Sequence, residues 1–73
     1  MTRLPIITPK EVIRRLKRAN FQIDTIVGSH YTLRSQDGKR RVTVPYHNKG
    51  LKRKTIKSIL IQADLTNEEF LEL

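Results

Sequence analysis

Two histidines are the residues of this chain best suited to acid–base chemistry, and both lie beside predicted strands. His30 follows Gly28 and Ser29 at the start of one strand, and His47 lies just past the end of the strand expected to pair with it. Imidazole ionises near neutral pH, so a histidine side chain can accept and donate a proton during catalysis. On the residues alone, a solvated surface histidine is an equally good interpretation of His30 and the better interpretation of His47.

The strands on either side of Asp37-Gly38 are expected to form a hairpin that positions His30. An Asp-Gly pair is typical of a type I′ turn, in which both central residues have positive φ. With this pair at the tip, His30 faces Pro45 and Arg34 faces Arg41. Because side chains alternate between the two faces of a sheet, a core face and a polar, basic face are predicted. The core face carries Tyr31, Leu33, Val42 and Val44, and the basic face carries His30, Thr32, Arg34, Arg41 and Thr43.

Helices are predicted on both sides of the strands. Thr8 and Glu11 have the spacing of a capping box, and apolar residues then recur at helical spacing, which predicts a helix from about Pro9 to Ala19. The same periodicity predicts a second helix that begins at Lys52 and is closed by Asp64 and Leu65. A second capping box, Thr66 to Glu69, starts a short terminal helix.

The remaining strand is predicted from Phe21 to Val27, ahead of the hairpin. Phe21 and Ile23 share one phase and Ile26 has the other, which either a bulge or an early end of the strand explains. The element order predicts an α+β fold in which a three-stranded antiparallel sheet has helices on one face and leaves the other face open. We expect residues 1–73 to form a single domain of this kind.

The composition favours an anionic partner. The 73 residues include 15 Lys and Arg against 7 Asp and Glu, a net charge of +8, which favours nucleic acid, an acidic protein, or both. A soluble domain that is merely basic is the alternative. Cysteine is absent, which excludes disulfides and thiolate metal sites. No segment resembles a signal peptide or a membrane span, so we expect a cytoplasmic protein without a membrane partner.

The predicted second helix has an unusual first turn, Lys52, Arg53 and Lys54. Cations at a helix N-terminus oppose the helix dipole. One interpretation is that these side chains hold a phosphate together with the free N–H groups of the helix. An equally good interpretation is a solvated turn whose charge is screened by salt.

Several motifs in this order resemble the HicA-type toxins of prokaryotic toxin–antitoxin systems. They are Gly28-Ser29-His30, Val42-Thr43-Val44-Pro45-Tyr46-His47, Leu51-Lys52-Arg53-Lys54-Thr55-Ile56, Ser58-Ile59-Leu60, Leu65-Thr66 and Glu68-Glu69-Phe70. The resemblance implies a double-stranded-RNA-binding-domain-like fold and a ribosome-independent endoribonuclease, or mRNA interferase, that a HicB antitoxin neutralises. It also implies that His30 is the catalytic residue.

RNA cleavage needs no metal or other cofactor, because the 2′-hydroxyl of the ribose is a built-in nucleophile. His30 is the expected general base, or a proton shuttle that acts as base and acid in turn, and whether His47 shares the work stays open. The expected products are a 2′,3′-cyclic phosphate and a 5′-hydroxyl. A metal site is disfavoured, because neither histidine has an acidic residue close by in sequence. The candidate RNA-contact residues are Gly28, Ser29, Arg34, Arg41, Lys52, Arg53 and Lys54.

Two other functions use the same basic face without catalysis. One is a non-catalytic RNA-binding module, and the other is an adaptor for an acidic protein. Only Tyr31 and Tyr46 among the aromatic residues lie near His30 in the predicted hairpin, so base stacking has little support as a source of sequence specificity.

Overall fold

The computed structural model describes residues 4–73, which form three helices and three strands in the predicted order. Their bounds are α1 (Pro9–Arg18), β1 (Phe21–Val27), β2 (His30–Ser35), β3 (Arg41–Pro45), α2 (Arg53–Ala63) and α3 (Asn67–Leu71). The sheet is antiparallel with the spatial order β1-β2-β3, so β2 is its central strand. The α+β prediction, with its double-stranded-RNA-binding-domain-like arrangement, is confirmed.

The start of α1 is held by half of the predicted capping box. The Thr8 hydroxyl accepts a hydrogen bond from the Glu11 N–H at 3.2 Å. The Glu11 carboxylate, however, binds Arg14 at 2.6 Å and Arg15 at 2.9 Å, because both cations lie one turn further along the helix. The helix ends at Arg18, one residue before the predicted end, and Asn20 follows with a left-handed φ of 70°.

The predicted hairpin register is confirmed, but the predicted turn type is wrong. His30 pairs with Pro45 and Arg34 with Arg41. Gly38 has a φ of 75°, whereas Asp37 does not have the positive φ that a type I′ turn requires. The Asp37 carboxylate instead accepts hydrogen bonds from the Ser35 hydroxyl and the Lys39 N–H, and these bonds, the first above all, lower the pKa of the carboxyl. A longer loop, residues 36–40, therefore joins the strands.

A β-bulge explains the phase change in β1. The register shifts between Ile23 and Thr25, and the strand continues to Val27. Ile23 pairs with Leu33 before the bulge and Ile26 pairs with Tyr31 after it, so both isoleucines lie on the face that carries the core. The bulge is thus the correct one of the two alternatives.

The helices cover one face of the sheet. Its buried apolar side chains and those of the helices form one cluster: Leu4, Ile7, Val12, Ile13, Leu16, Phe21, Leu33, Val42, Val44, Leu51, Ile56, Ile59, Leu60, Ala63 and Phe70. Lys52 is the N-cap of α2 rather than part of its first turn, and Asp64 closes this helix in a left-handed conformation. The capping box that begins at Thr66 is complete and starts α3 as predicted. The first three residues of the chain lie outside the described part.

Candidate nucleic-acid interface

The open face of the sheet carries three cross-strand rows of side chains. We call them the histidine row (Val27, His30, Pro45), the threonine row (Thr25, Thr32, Thr43) and the arginine row (Gln22, Arg34, Arg41). Successive rows are two residues apart along β2, which is about 7 Å. The open face is therefore graded, with an imidazole at one end, hydroxyl groups in the middle and guanidinium groups at the other end.

His30 is the first residue of β2 and is exposed on the open face, away from the helices. Gly28 and Ser29 form the turn that leads into it. Gly28 has a φ of 57°, and a Cβ built on it would meet nothing within 4 Å, so its backbone conformation rather than crowding favours glycine here. The Ser29 carbonyl accepts the Tyr46 N–H at 2.6 Å, which ties this turn to the end of β3.

His47 is also exposed and lies two residues beyond Pro45, the strand partner of His30. Its Nδ1 accepts a hydrogen bond from the Lys49 N–H at 3.2 Å. A ring nitrogen that accepts a hydrogen bond carries no proton, so the neutral ring of His47 carries its proton on Nε2. To act as an acid this ring would have to be cationic, and its Nδ1 would then donate rather than accept.

The arginine row is electrostatically uneven. Arg41 is exposed, whereas Arg34 is half-buried and its Nε is buried without a hydrogen-bond partner among residues 4–73. The bulge in β1 brings the Asp24 carboxylate to 3.6 Å from Nη2 of Arg34. This carboxylate offsets the repulsion between two arginines that face each other directly. Asp24 was not predicted as a site residue from the sequence, in which the phase change at Ile26 was the only signal of the bulge that places it there.

The basic start of α2 lies on the helical side of the sheet, not on the open face. The other end of α2 is near the hairpin loop, because Asp64 binds Arg40 at 2.9 Å. The helix has 11 residues and a length of about 16 Å, so its N-terminus lies toward the end of the sheet where His30 is. Lys52 and Lys54 are exposed there, and Arg53 donates from Nε to the Leu4 carbonyl at 2.6 Å.

Arg53 therefore has a structural task whatever else it binds. Its hydrogen bond to Leu4 holds the segment before α1. The same segment forms a β-bridge between Ile7 and Leu51, with the Leu51 N–H 2.7 Å from the Ile7 carbonyl. Arg34 and Arg41 lie on the open face, as His30 does. Lys52 and Lys54 lie toward the end of the sheet where His30 is, but on the side that the helices cover.

Comparison with models of known protein families matches residues 9–65 to the HicA toxin of bacterial toxin–antitoxin systems. The match runs from the first residue of α1 to just beyond α2 and includes His30 and His47. This chain belongs to the HicA toxin family. A HicA toxin acts as one half of a pair with an antitoxin. Comparison with curated proteins finds no match.

Within residues 4–73 of this HicA-family chain, no three His, Cys, Asp or Glu side chains are grouped so that they could hold a metal ion. In the same part of the chain, no helix is long and apolar enough to cross a bilayer.

Proposed function

We propose that this HicA-family toxin is an endoribonuclease that cleaves mRNA in the cytoplasm, with His30 as its general base. The observation that carries the proposal is the position of His30. Its imidazole is exposed at the head of the central strand, on the face opposite to the one that the helices of the described part of the chain cover. Hydroxyl and guanidinium groups continue from it along the same face.

The proposed reaction needs only the RNA and this chain's own side chains. His30 takes the proton of a ribose 2′-hydroxyl, and the resulting oxyanion attacks the adjacent phosphorus. The bond between phosphorus and the 5′-oxygen breaks, and an acid returns a proton to that oxygen. The acid is His30 itself in its protonated form, or a cationic His47 whose Nδ1 has given up its hydrogen bond from the Lys49 N–H. The products are a 2′,3′-cyclic phosphate and a 5′-hydroxyl.

The spacing of the rows supports a division of labour along the RNA. Arg34 is four residues from His30 on one strand, so their Cα atoms are about 13 Å apart. The arginine row is therefore better placed to hold a phosphate further along the strand than the one being cleaved. The threonine row lies between them and offers hydroxyls to the sugar–phosphate backbone. Lys52 and Lys54, with Gly28 and Ser29, are the proposed contacts on the other side of the cleaved bond.

The antitoxin is proposed to be a HicB-type protein that covers the open face around His30. The arginine row supplies charge for such a complex, and antitoxin carboxylates would pair with Arg34 and Arg41. A reversed charge, Arg41→Glu, is expected to weaken the complex. An Arg41→Glu complex of unchanged affinity and unchanged salt dependence would show that the antitoxin does not use this row.

A comparison of wild type with His30→Ala in growing cells tests the enzyme proposal. Wild type is expected to arrest growth and fragment transcripts, whereas His30→Ala should do neither and should still bind RNA. The expected loss of cleavage is about 10²- to 10⁴-fold, the usual contribution of a general base. Equal growth arrest and equal transcript damage by the two proteins would remove His30 from the mechanism.

A non-catalytic RNA-binding module is the second candidate, and the exposed guanidinium of Arg41 favours it. Such a module binds RNA with a steep dependence on salt and leaves it intact at every protein concentration. A positively charged adaptor, by contrast, would bind RNA no better than any polycation does. Intact RNA recovered after incubation with high concentrations of wild type would therefore decide for binding over catalysis.

A further inference from the structure

A groove of about 420 Å³ runs between α1 and the first two strands, on the side of the sheet opposite His30. We call it the α1–β1 groove. Its floor is apolar and consists of Ile13, Ile23, Tyr31 and Tyr46. The two tyrosine rings stack on each other, with centroids 4.5 Å apart and an interplanar angle of 20°. No part of the proposed cleavage mechanism uses this surface.

The floor of the groove continues into apolar surface that the fold leaves uncovered. Ile23 and Ile26 are 36% and 53% exposed, and the bulge puts both on the groove side of β1. The strand itself is an edge strand, because β2 is its only neighbour in the sheet formed by the described residues. At the other edge of the sheet, a side chain of α2 pairs with a backbone group of the strand: the Thr43 N–H of β3 donates to Gln62 Oε1 at 2.9 Å. Contiguous exposed apolar surface on a small protein indicates an interaction site.

The rim of the groove is positively charged. Lys10, Arg14 and Lys17 line it from successive turns of α1. Glu11 also lines it, but its carboxylate is bound by Arg14 and Arg15, which lowers the pKa of that carboxyl to about 2 and keeps it ionised within the ion pairs. The net charge of the rim is therefore positive, and a partner would need carboxylates around an apolar centre.

We infer that the α1–β1 groove docks a segment of the antitoxin in which apolar side chains are flanked by carboxylates. The inference rests on the toxin–antitoxin family and not on RNA cleavage. The apolar floor matches the core of a protein interface, and the charged rim matches its polar border. A second copy of this chain is a poor occupant, because each copy carries a net charge of +8.

RNA is also a poorer occupant of this groove than a protein segment. Exposed aliphatic side chains such as Ile23 and Ile26 offer no hydrogen bonds to a phosphate or a base edge. Each of the stacked tyrosine rings already has one face covered by the other, which limits stacking with a nucleobase. The open face, with its histidine and arginines, is the better surface for a polyanion.

The edge of β1 connects the groove with the proposed active site. Ile26 lies on the same face of the sheet as Ile23 of the groove, and the next residue, Val27, pairs with His30 on the open face. An antitoxin anchored in the groove therefore needs to pass only the edge of one strand to reach His30. Docking in the groove accordingly gives the antitoxin affinity from a surface that the RNA does not compete for.

The test compares Ile26→Asp, in the exposed apolar surface that continues the groove floor along β1, with Ile61→Asp, a matched change at an isoleucine of α2 that is 72% exposed and lies outside both that surface and the groove. Affinity for the antitoxin, purified from its complex with the toxin, is measured by calorimetry in a His30→Ala background. Ile26→Asp is expected to weaken binding about tenfold or more, and Ile61→Asp to change it by less than about twofold. Thermal unfolding shows whether each variant is folded. Lys17→Glu, on the exposed side of α1, provides a second variant if Ile26→Asp is not folded.

Three results would overturn the inference. Unchanged antitoxin affinity in both Ile26→Asp and Lys17→Glu would show that the antitoxin does not use the groove. If these variants lost affinity for a single-stranded RNA oligonucleotide but kept their affinity for the antitoxin, the groove would be assigned to RNA. Gel filtration that shows a wild-type dimer, dissociated by Ile26→Asp, would assign it to a second copy. RNA cleavage is measured separately with His30 intact, so failure of the nuclease proposal leaves the binding result interpretable.

Discussion

Arg15 is predicted to stabilise the fold far more than its neighbour Arg14 does. Its Nη1 donates to the carbonyls of Phe70 and Leu71, each at 3.0 Å, and its guanidinium lies 5.4 Å from the centre of the Phe70 ring. These carbonyls lie in the last turn of α3, and that of Phe70 also accepts the Leu73 N–H at 3.2 Å. Hydrogen bonds from a charged donor contribute about 1.5–3 kcal/mol, and a cation–π contact adds about 0.5–1 kcal/mol. We therefore expect Arg15→Met to cost about 2–4 kcal/mol of unfolding free energy.

Arg14→Met is the matched control, because both arginines bind the Glu11 carboxylate and methionine keeps most of the aliphatic stem. The Arg14 side chain is 51% exposed and that of Arg15 only 19%, so the Arg14 ion pair is expected to contribute far less to stability than the contacts of Arg15 with α3. Urea unfolding gives both free energies, and a 1 kcal/mol loss lowers the Tm of a domain this small by about 4–8 °C. Equal losses in the two variants would show that the contact of Arg15 with α3 contributes nothing, and would refute the reasoning.

Two further predictions concern the carboxylates. Asp24→Asn frees Arg34 for a phosphate, so RNA affinity is expected to rise and the slope of log affinity against log salt to steepen by up to about 0.7. Anisotropy titrations at several salt concentrations measure the affinity and the slope. Weaker RNA binding would contradict the prediction. The two arginines that bind Glu11, Arg14 first, lower its pKa in the folded protein from 4.5 to about 2. The Glu11 carboxylate therefore stabilises the fold above about pH 4.5 and loses this effect as the pH falls toward 2. Urea unfolding between these values should show a smaller pH dependence in Glu11→Gln than in wild type, and identical curves would contradict the assignment.

The parts of the site that depend on local chemistry were predictable from the sequence. Alternation of apolar and polar residues around Asp37-Gly38 was enough to pair His30 with Pro45 and to put Arg34 opposite Arg41. The predicted register was correct although the predicted turn type was wrong, because the pattern of buried residues specifies strand pairing more strongly than the turn does. Capping residues likewise predicted where α3 starts.

The parts that depend on distant contacts were not predictable. Arg15 binds the carbonyls of Phe70 and Leu71, which follow it by 55 and 56 positions in the sequence. Backbone carbonyls have no sequence signature, so this contact could not be predicted. The bridge between Ile7 and Leu51 and the bond from Arg53 to Leu4 are of the same kind. The bulge left a trace in the phase of Ile26, but an early end of the strand would have left the same trace. Only the three-dimensional structure shows that the bulge brings Asp24 to Arg34 and exposes an apolar groove beside α1.

Analysis of the RNA ends after digestion shows whether the ribose 2′-hydroxyl is the nucleophile and whether His30 activates it. Purified wild type and His30→Ala are each incubated with a defined single-stranded RNA in the presence of a chelator. Wild type is expected to produce fragments with 2′,3′-cyclic phosphate and 5′-hydroxyl ends, and His30→Ala is expected to leave the RNA intact. Fragments with 5′-phosphate ends, or equal cleavage by the two proteins, would contradict a mechanism in which the imidazole of His30 activates the ribose hydroxyl.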